Sequence, residues 1–254
     1  MIEPAERRYA IILPACDEES CIAAVLDELH AALDSEWFVF AVGVNDSRDR
    51  TADIAREHGA IVGETDLRGY GHGCQCAVDE IARRGITVDA YIFCASDGAN
   101  DPRDILALVS EYECGAGMVL GSRTTEFANW SVMNAHYVLA NRAFGFLVGL
   151  LTGRFFADLG PLRIIERDLF HAMALREWMY GWTIEAQVRA VQLGAKIVEV
   201  PVRERLRIAG EQKVGRVSWK RTLWVGLKIA AAGVRTRFAT VQPRERAQAS
   251  LAAM

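Results

Sequence analysis

The sequence predicts an α/β fold built on a parallel sheet wrapped by helices, and three observations predict it. Short apolar runs alternate with longer amphipathic stretches through the first half of the chain. The runs are of strand length and almost continuously apolar, as strands covered on both faces are. The 254 residues suffice to bury roughly 70 to 75% of the unfolded surface in one core, with no need for disulfides or a structural metal. The strands are read at Tyr9–Pro14, Phe38–Val44, Ala60–Gly63, Asp89–Ala95 and Met118–Gly121. Between them, Glu19–Leu33 carries Ile22, Val25, Leu26, Leu29 and Leu33 at helical spacing. Ala52–His58, Ala77–Arg84 and Pro102–Tyr112 are read as further helices, with Asp101 capping the last and Pro102 at its first position. After residue 130 the pattern changes to long apolar helices at Val132–Leu151 and Thr183–Leu193, a strand at Lys196–Val202 and a last helix around Ser218–Val234. No linker separates the halves, so one domain over 9–238 is expected, with 239–254 as a flexible tail.

Composition narrows the function classes. With 51% hydrophobic and 24% charged residues the chain is an ordinary globular one, and a net charge of −4 argues against a surface built for nucleic acid. The charge is unevenly spread: between Arg203 and Arg237 ten basic residues face two acidic ones, which calls for an anionic ligand or surface near the C-terminus. The six cysteines lack zinc-site spacing and read as buried thiols of a reducing cytoplasm. Met1 to Arg8 is polar, so no secretory signal is expected, and the longest apolar stretch, Ala143–Leu151, is too short to span a bilayer.

In a sheet of this kind the ligand lies beyond the carboxyl ends of the strands, which directs attention to the loops there. The first strand runs into Pro14-Ala15-Cys16-Asp17-Glu18-Glu19, whose acids suit a helix start: Asp17 at or near an N-cap, Glu18 and Glu19 in the first turn. The second runs into Asn45-Asp46-Ser47-Arg48-Asp49-Arg50-Thr51, a cluster of turn formers whose carboxylates could accept hydrogen bonds from a base or ribose. Gly69, Gly71 and Gly73 free the backbone for close approach to a ligand just before a helix start. The strand ending at Ala95 leads into Ser96-Asp97-Gly98-Ala99-Asn100-Asp101-Pro102, where Asp97 could ligate a divalent ion, although hard cations want several oxygens.

Taken in order, these loops with Gly121-Ser122-Arg123, Asp158-Leu159-Gly160-Pro161-Leu162-Arg163 and Tyr180-Gly181-Trp182-Thr183-Ile184-Glu185 resemble the inverting family 2 glycosyltransferases. Within these, the likeness is to the bacterial enzymes related to dolichyl-phosphate mannosyltransferase and the polyprenyl-phosphate glycosyltransferases. The resemblance implies the GT-A nucleotide-diphospho-sugar transferase fold, a mostly parallel, Rossmann-like sheet flanked by helices, here with C-terminal amphipathic helices. It divides the domain into a donor half at about 9–122 and an acceptor half at about 123–238.

The resemblance places the nucleotide on Pro14, Ala15, Asp17, Glu18, Asn45 and Asp46, with Gly71, Ser96 and Asp97 also serving the donor. Mg²⁺ or Mn²⁺ would be held by Asp97. Arg123, Arg163, Arg207 and Lys213 would face the diphosphate or acceptor phosphate, as guanidinium and ammonium groups suit phosphate oxygens. Asp158 would be the acceptor-side carboxylate and Glu185 the second candidate. For Glu185 an ion pair with Arg163 or Arg189 is the competing reading. The sequence departs from the pattern at Val44, where the second loop's first carboxylate is usual, at Asp46, where Gly is usual, and at Ala95 and Ala99, which flank Asp97 where polar residues are usual.

The implied reaction moves a sugar from a nucleotide-diphosphate sugar, with inversion, to a polyprenyl phosphate or another cytoplasmic acceptor. The departures motivate two alternatives: a non-catalytic binding or partner protein that keeps the fold, and a weakly metal-dependent transferase with an unusual donor. The helices Val132–Leu151 and Trp219–Val234, apolar and punctuated by Arg142, Lys220, Arg221 and Lys228, fit peripheral contact with the inner face of a membrane or a second subunit.

Overall fold

A computed structural model describes residues 8–208 and 219–239. Seven strands, β1 (Tyr9–Ala15), β2 (Phe38–Asn45), β3 (Ile61–Thr65), β4 (Ala90–Phe93), β5 (Met118–Ser122), β6 (Arg163–Glu166) and β7 (Ile197–Pro201), form one sheet in the order β3-β2-β1-β4-β6-β5-β7. All neighbouring pairs are parallel except those made by β6, which runs antiparallel between β4 and β5. The strand order reverses between β1 and its neighbours β2 and β4, and at such a switch point the loops at the carboxyl ends diverge to leave a crevice.

The helices are α1 (Ile22–Ala32), α2 (Thr51–Glu57), α3 (Tyr70–Arg83), α4 (Pro102–Glu113), α5 (Ala135–Thr152), α6 (Arg167–Met173), α7 (Trp182–Gln192) and α8 (Trp219–Phe238), with a 3₁₀ turn at Phe127–Ser131. β1 is covered on both faces, and alternation sorts its side chains: Tyr9, Ile11 and Leu13 join the core under α1 and α4, while Ala10 and Ile12 join the one under α3 and α7. This explains why its sequence is an unbroken apolar run.

Each expected strand is present within two residues at either end. β6 and α6 were not expected, because a four-residue strand that begins with an arginine offers no period to read. Two helix starts also differ. α1 begins at Ile22, since the backbone of Glu18 and Glu19 is bound to the neighbouring loop, Glu18 N donating to Thr51 Oγ1 (2.8 Å) and Glu19 N to Asp49 Oδ2 (3.0 Å). The acids therefore lie ahead of the first turn. α3 begins at Tyr70, ahead of the expected Ala77, so that Gly71 and Gly73 are helical residues. Their role is packing: a Cβ on Gly73 would lie 2.9 Å from Pro14 Cβ and 2.8 Å from Asn45 Oδ1, and one on Gly71 would lie 2.7 Å from Trp182 Cδ1. Asp101 caps α4 as expected, accepting from Arg103 N at 3.0 Å.

The cysteines form no disulfide with one another, and the expectation of uniformly buried thiols holds for Cys21, Cys74 and Cys94 but not for Cys114, which is exposed, or for the half-buried Cys16 and Cys76. No helix among the described residues is long and apolar enough to cross a membrane. Lys213, most of the expected tail and the side chains of Lys220 and Arg221 lie outside the described residues.

Candidate functional site

Two cavities open at the carboxyl ends of β1, β2, β4 and β5. The smaller, about 330 Å³, is lined by Pro14, Cys16, Glu18 and Asn45 from the first two loops, by Arg68, Gly69 and Tyr70 at the start of α3, and by Met179, Tyr180, Trp182 and Thr183. Aromatic and apolar side chains stand beside Glu18, Asn45 and Arg68 in this lining, a mixture suited to a planar base with polar edges. The larger, about 550 Å³, is lined by Asp97 and Ala99 after β4, Arg123 after β5, residues of the segment leading into α5, and Glu204, Arg205 and Arg207 after β7.

The loops are bound to one another. Asp17, with φ of 51°, donates its N–H to Ser47 Oγ and accepts from Arg48 N at 2.8 Å, so it ties the first loop to the second instead of capping α1. Asp46 also takes a left-handed φ, 53°, which is the physical reason a glycine suits that position and an aspartate is tolerated. Its carboxylate pairs with Arg68 at 3.6 Å. Ser96 is buried and donates to Pro14 O at 2.9 Å, joining β4 to β1. Ala15 is fully buried in the core.

Between the cavities stands Arg207. Its Nη2 lies 3.2 Å from Glu18 Oε1 and its Nε lies 3.1 Å from Asp97 Oδ2. Asp97 Oδ1 also accepts from Ala99 N at 2.9 Å. A divalent ion at this edge would need Asp97, yet that carboxylate already carries a guanidinium and a backbone amide, and alanines flank it at 95 and 99. Among the described residues no group of three or more His, Cys, Asp or Glu is placed to hold a metal. The residues present fit a divalent ion poorly: the one carboxylate offered at this position is already engaged, and the remaining oxygens would have to come from a bound diphosphate and water.

Asp158 is buried and accepts three bonds from Arg123, from its N (2.8 Å), Nε (2.9 Å) and Nη2 (3.1 Å). The pair outweighs the cost of burial and raises the Arg123 pKa. Asp158 lines neither cavity and positions Arg123, which does. Arg163 is fully buried under Trp182, with its Nη1 donating to Thr183 O and its Nη2 to Gly160 O, so the expectation that it faces a phosphate is corrected: its guanidinium fixes backbone. Glu185 likewise accepts from Arg176 N (2.8 Å) and Glu177 N (2.7 Å), bracing the loop that carries Met179 and Tyr180 to the smaller cavity. Gly71 is buried and lines neither cavity, donating its N–H to Trp178 O.

The structure adds Glu204, which the sequence reading passed over because two arginines flank it. Its backbone is pinned to Asn129 Oδ1 (2.9 Å), its Oε1 lies 3.4 Å from Arg123 Nη1, and its Oε2 is buried with no hydrogen-bond partner among the described residues. Burial, aided by the charges of Asp97 and Asp158 and opposed by Arg123, pushes its carboxyl up to about 7. The folded protein thus keeps a proton that the unfolded chain has lost above about 4.5. This group's contribution to stability is full below that value and falls as pH rises to about 7. Glu204→Gln is expected to flatten that slope, raising the melting temperature relative to wild type by about 5–10 °C more at pH 8 than at pH 5. Parallel slopes for the two proteins would refute it.

A mostly parallel sheet with a crevice at its switch point, flanked by helices and opening into two cavities, defines an α/β protein of the nucleotide-binding kind. Comparison with known proteins makes the assignment definite. The profile of glycosyl transferase family 2 matches residues 10–174, and the chain belongs to that family. A dolichyl-phosphate hexose transferase of Haloferax volcanii is 30% identical over 210 residues, covering 81% of this chain and 86% of the relative. An uncharacterized glycosyltransferase of Mycobacterium tuberculosis is 26% identical over 218 residues, covering 80% and 88%. Among solved structures, glucosyl-3-phosphoglycerate synthase from M. tuberculosis, in complex with Mn²⁺, UDP and phosphoglyceric acid, superposes with a TM-score of 0.68 at 18% identity, covering 93% of this chain and 80% of that one. The fold is GT-A, and the chain is a glycosyltransferase.

Proposed function

We propose that the protein transfers a sugar from a nucleotide-diphosphate sugar, with inversion, to a polyprenyl phosphate, and that residues 9–238 act as one catalytic unit. The observation that carries this reading is the pair of cavities linked by the Arg207–Glu18 ion pair, one of base size and lined by Glu18, the other lined by Arg123, Arg205 and Arg207. The base and ribose occupy the smaller cavity against Pro14, Glu18 and Asn45. The diphosphate and the sugar extend past Asp97 into the larger one. Arg123 and Arg207 offer charge to the phosphates of donor and acceptor. Lys213 belongs to the same basic segment. An acceptor phosphate is already ionised and needs no base to attack the anomeric carbon.

The lipid part of the acceptor is supported by the apolar residues that α5 and α8 turn outward, Leu139, Phe146, Leu150, Trp224 and Leu227, all about half exposed or more. That face suits peripheral contact at the cytoplasmic leaflet, with a second subunit as the other cover. The solved relative's Mn²⁺ is the support for a metal in the family, and its phosphoglyceric acid is the support for a small phosphorylated acceptor as the second reading.

The test is product formation from UDP-, GDP- and dTDP-hexoses with a short polyprenyl phosphate in detergent, against 3-phosphoglycerate. The expected result is a lipid-linked sugar whose anomeric configuration, read by NMR, is opposite to the donor's. Transfer to 3-phosphoglycerate alone would replace the lipid acceptor, and no transfer with any donor would return the non-catalytic reading.

A further inference from the structure

The edge between the cavities brings a fixed positive charge to the place where the family reading puts a metal. Glu18 from the loop after β1 and Asp97 from the loop after β4 both hold the guanidinium of Arg207, at 3.2 Å and 3.1 Å. Arg207 is held in position along its own segment as well: Arg205 N donates to Ala99 O (2.9 Å), Ile208 N donates to Asp97 O (3.1 Å), and the Arg205 side chain donates to Gly98 O and Asn100 O. The segment after β7 is thus laced onto the β4–α4 loop, and the cation it delivers is part of the fold.

The guanidinium groups of the larger cavity are each held by carboxylates, Arg123 by Asp158 and Glu204, Arg205 by Glu28 and Arg207 by Glu18 and Asp97, so what they offer a phosphate is a set of fixed donors. Three guanidinium groups, Arg123, Arg205 and Arg207, line it against Asp97 and Glu204, and the Glu204 carboxyl, pushed up to about 7, is only partly ionised near neutrality. A guanidinium stays charged throughout the physiological range and matches phosphate oxygens in pairs. We propose that Arg207 supplies at the donor diphosphate the positive charge that a divalent ion would otherwise supply, so that this transferase binds and uses its donor without metal.

This rests on the donor reading given above. In the step it serves, the bond from the anomeric carbon to the diphosphate oxygen breaks and its electron pair leaves with the nucleoside diphosphate. The acceptor phosphate oxygen forms the new bond to that carbon. The charge that develops on the leaving diphosphate falls beside Arg207, where a preorganised cation is most effective. Glu18 and Asp97 act as positioning residues, because their carboxylates fix the guanidinium.

Calorimetric titration of the whole protein with UDP-, GDP- and dTDP-glucose, in Mn²⁺ and again in EDTA, tests it. The expected dissociation constant for the preferred donor agrees within about threefold between the two conditions. A donor that binds at least tenfold more weakly in EDTA overturns the assignment and leaves the transferase reading standing; no binding of any donor in either condition overturns both. Arg207→Ala, checked for an unchanged melting temperature, is expected to lose at least tenfold in affinity in EDTA, and Arg207→Lys to lose less. Wild-type affinity of Arg207→Ala in EDTA would overturn the assignment.

Discussion

Asp158→Ala is expected to lower stability by about 3–5 kcal/mol, because it leaves the guanidinium of Arg123 buried with its main partner gone. Arg123 is 12% exposed at its side chain, and the contact that remains is Glu204 at 3.4 Å. The melting temperature should fall by on the order of 10 °C, and transfer should be lost, since the freed guanidinium turns away from the larger cavity. Two variants separate structure from charge. Asp158→Asn keeps the shape and part of the bonding and should lose less. Asp158→Ala combined with Arg123→Met removes both charges and should regain most of the stability without regaining transfer. A loss under about 1 kcal/mol for Asp158→Ala would mean that the pair does not hold the β5 loop to the 157–160 segment.

Gly43→Ala is the second large effect. A Cβ at this position in β2 would stand 1.8 Å from the carbonyl oxygen of Gly73 in α3 and 2.6 Å from its carbon, both backbone atoms. No side-chain rotation relieves that contact, so α3 must move off the sheet, at a cost of about 3 kcal/mol or more. The start of α3 carries Arg68, Gly69 and Tyr70 to the smaller cavity, and its displacement should weaken donor binding at least tenfold. Gly117→Ala is the control, its Cβ meeting nothing closer than Leu169 Cδ2 at 3.4 Å. Equal donor affinity in Gly43→Ala and wild type would show that the cavity does not depend on this close approach.

The elements that a period or a cap announces were legible in the sequence. β1, β2 and β5 are apolar runs because both faces are covered, and α4 begins where Asp101 and Pro102 say it should. β6 was not legible: its Arg163 reads as a phosphate ligand, and only the fold shows it buried beneath Trp182. The start of α3 was obscured by glycines, which are poor helix formers but are required by close contacts, of Gly73 with β1 and β2 and of Gly71 with Glu177, Trp178 and Trp182.

For the site, sequence order was enough to choose the loops and to name Asp97, Arg123 and Arg207, which line one cavity, and Pro14, Glu18 and Asn45, which line the other. It was not enough to separate side chains that face a cavity from those that hold the frame. Asp17, Ser96, Arg163 and Glu185 belong to the frame because they bind backbone atoms, Asp17 and Ser96 those of segments distant in sequence, Arg163 and Glu185 those of neighbouring turns, and no periodicity announces either kind of bond. Glu204 was hidden by the opposite effect, an acid whose basic neighbours in sequence point elsewhere: Arg203 to Asp104 and Arg205 to Glu28.

The antiparallel insertion of β6 bears on how the chain is made. β5 has β6 and β7 as its partners, and both are translated after it. When Met118–Ser122 leaves the ribosome, its apolar backbone edges must wait for roughly 40 further residues before residues 163–166 can pair with it, a delay of a few seconds at ordinary rates of synthesis. A nascent chain stopped before that point holds β1 to β4 with an open edge at β4 and a loose apolar segment beside it, the arrangement most prone to pairing with another chain. Protection of that interval, by a chaperone or by slow dilution during refolding, is therefore the step on which the yield of native protein turns.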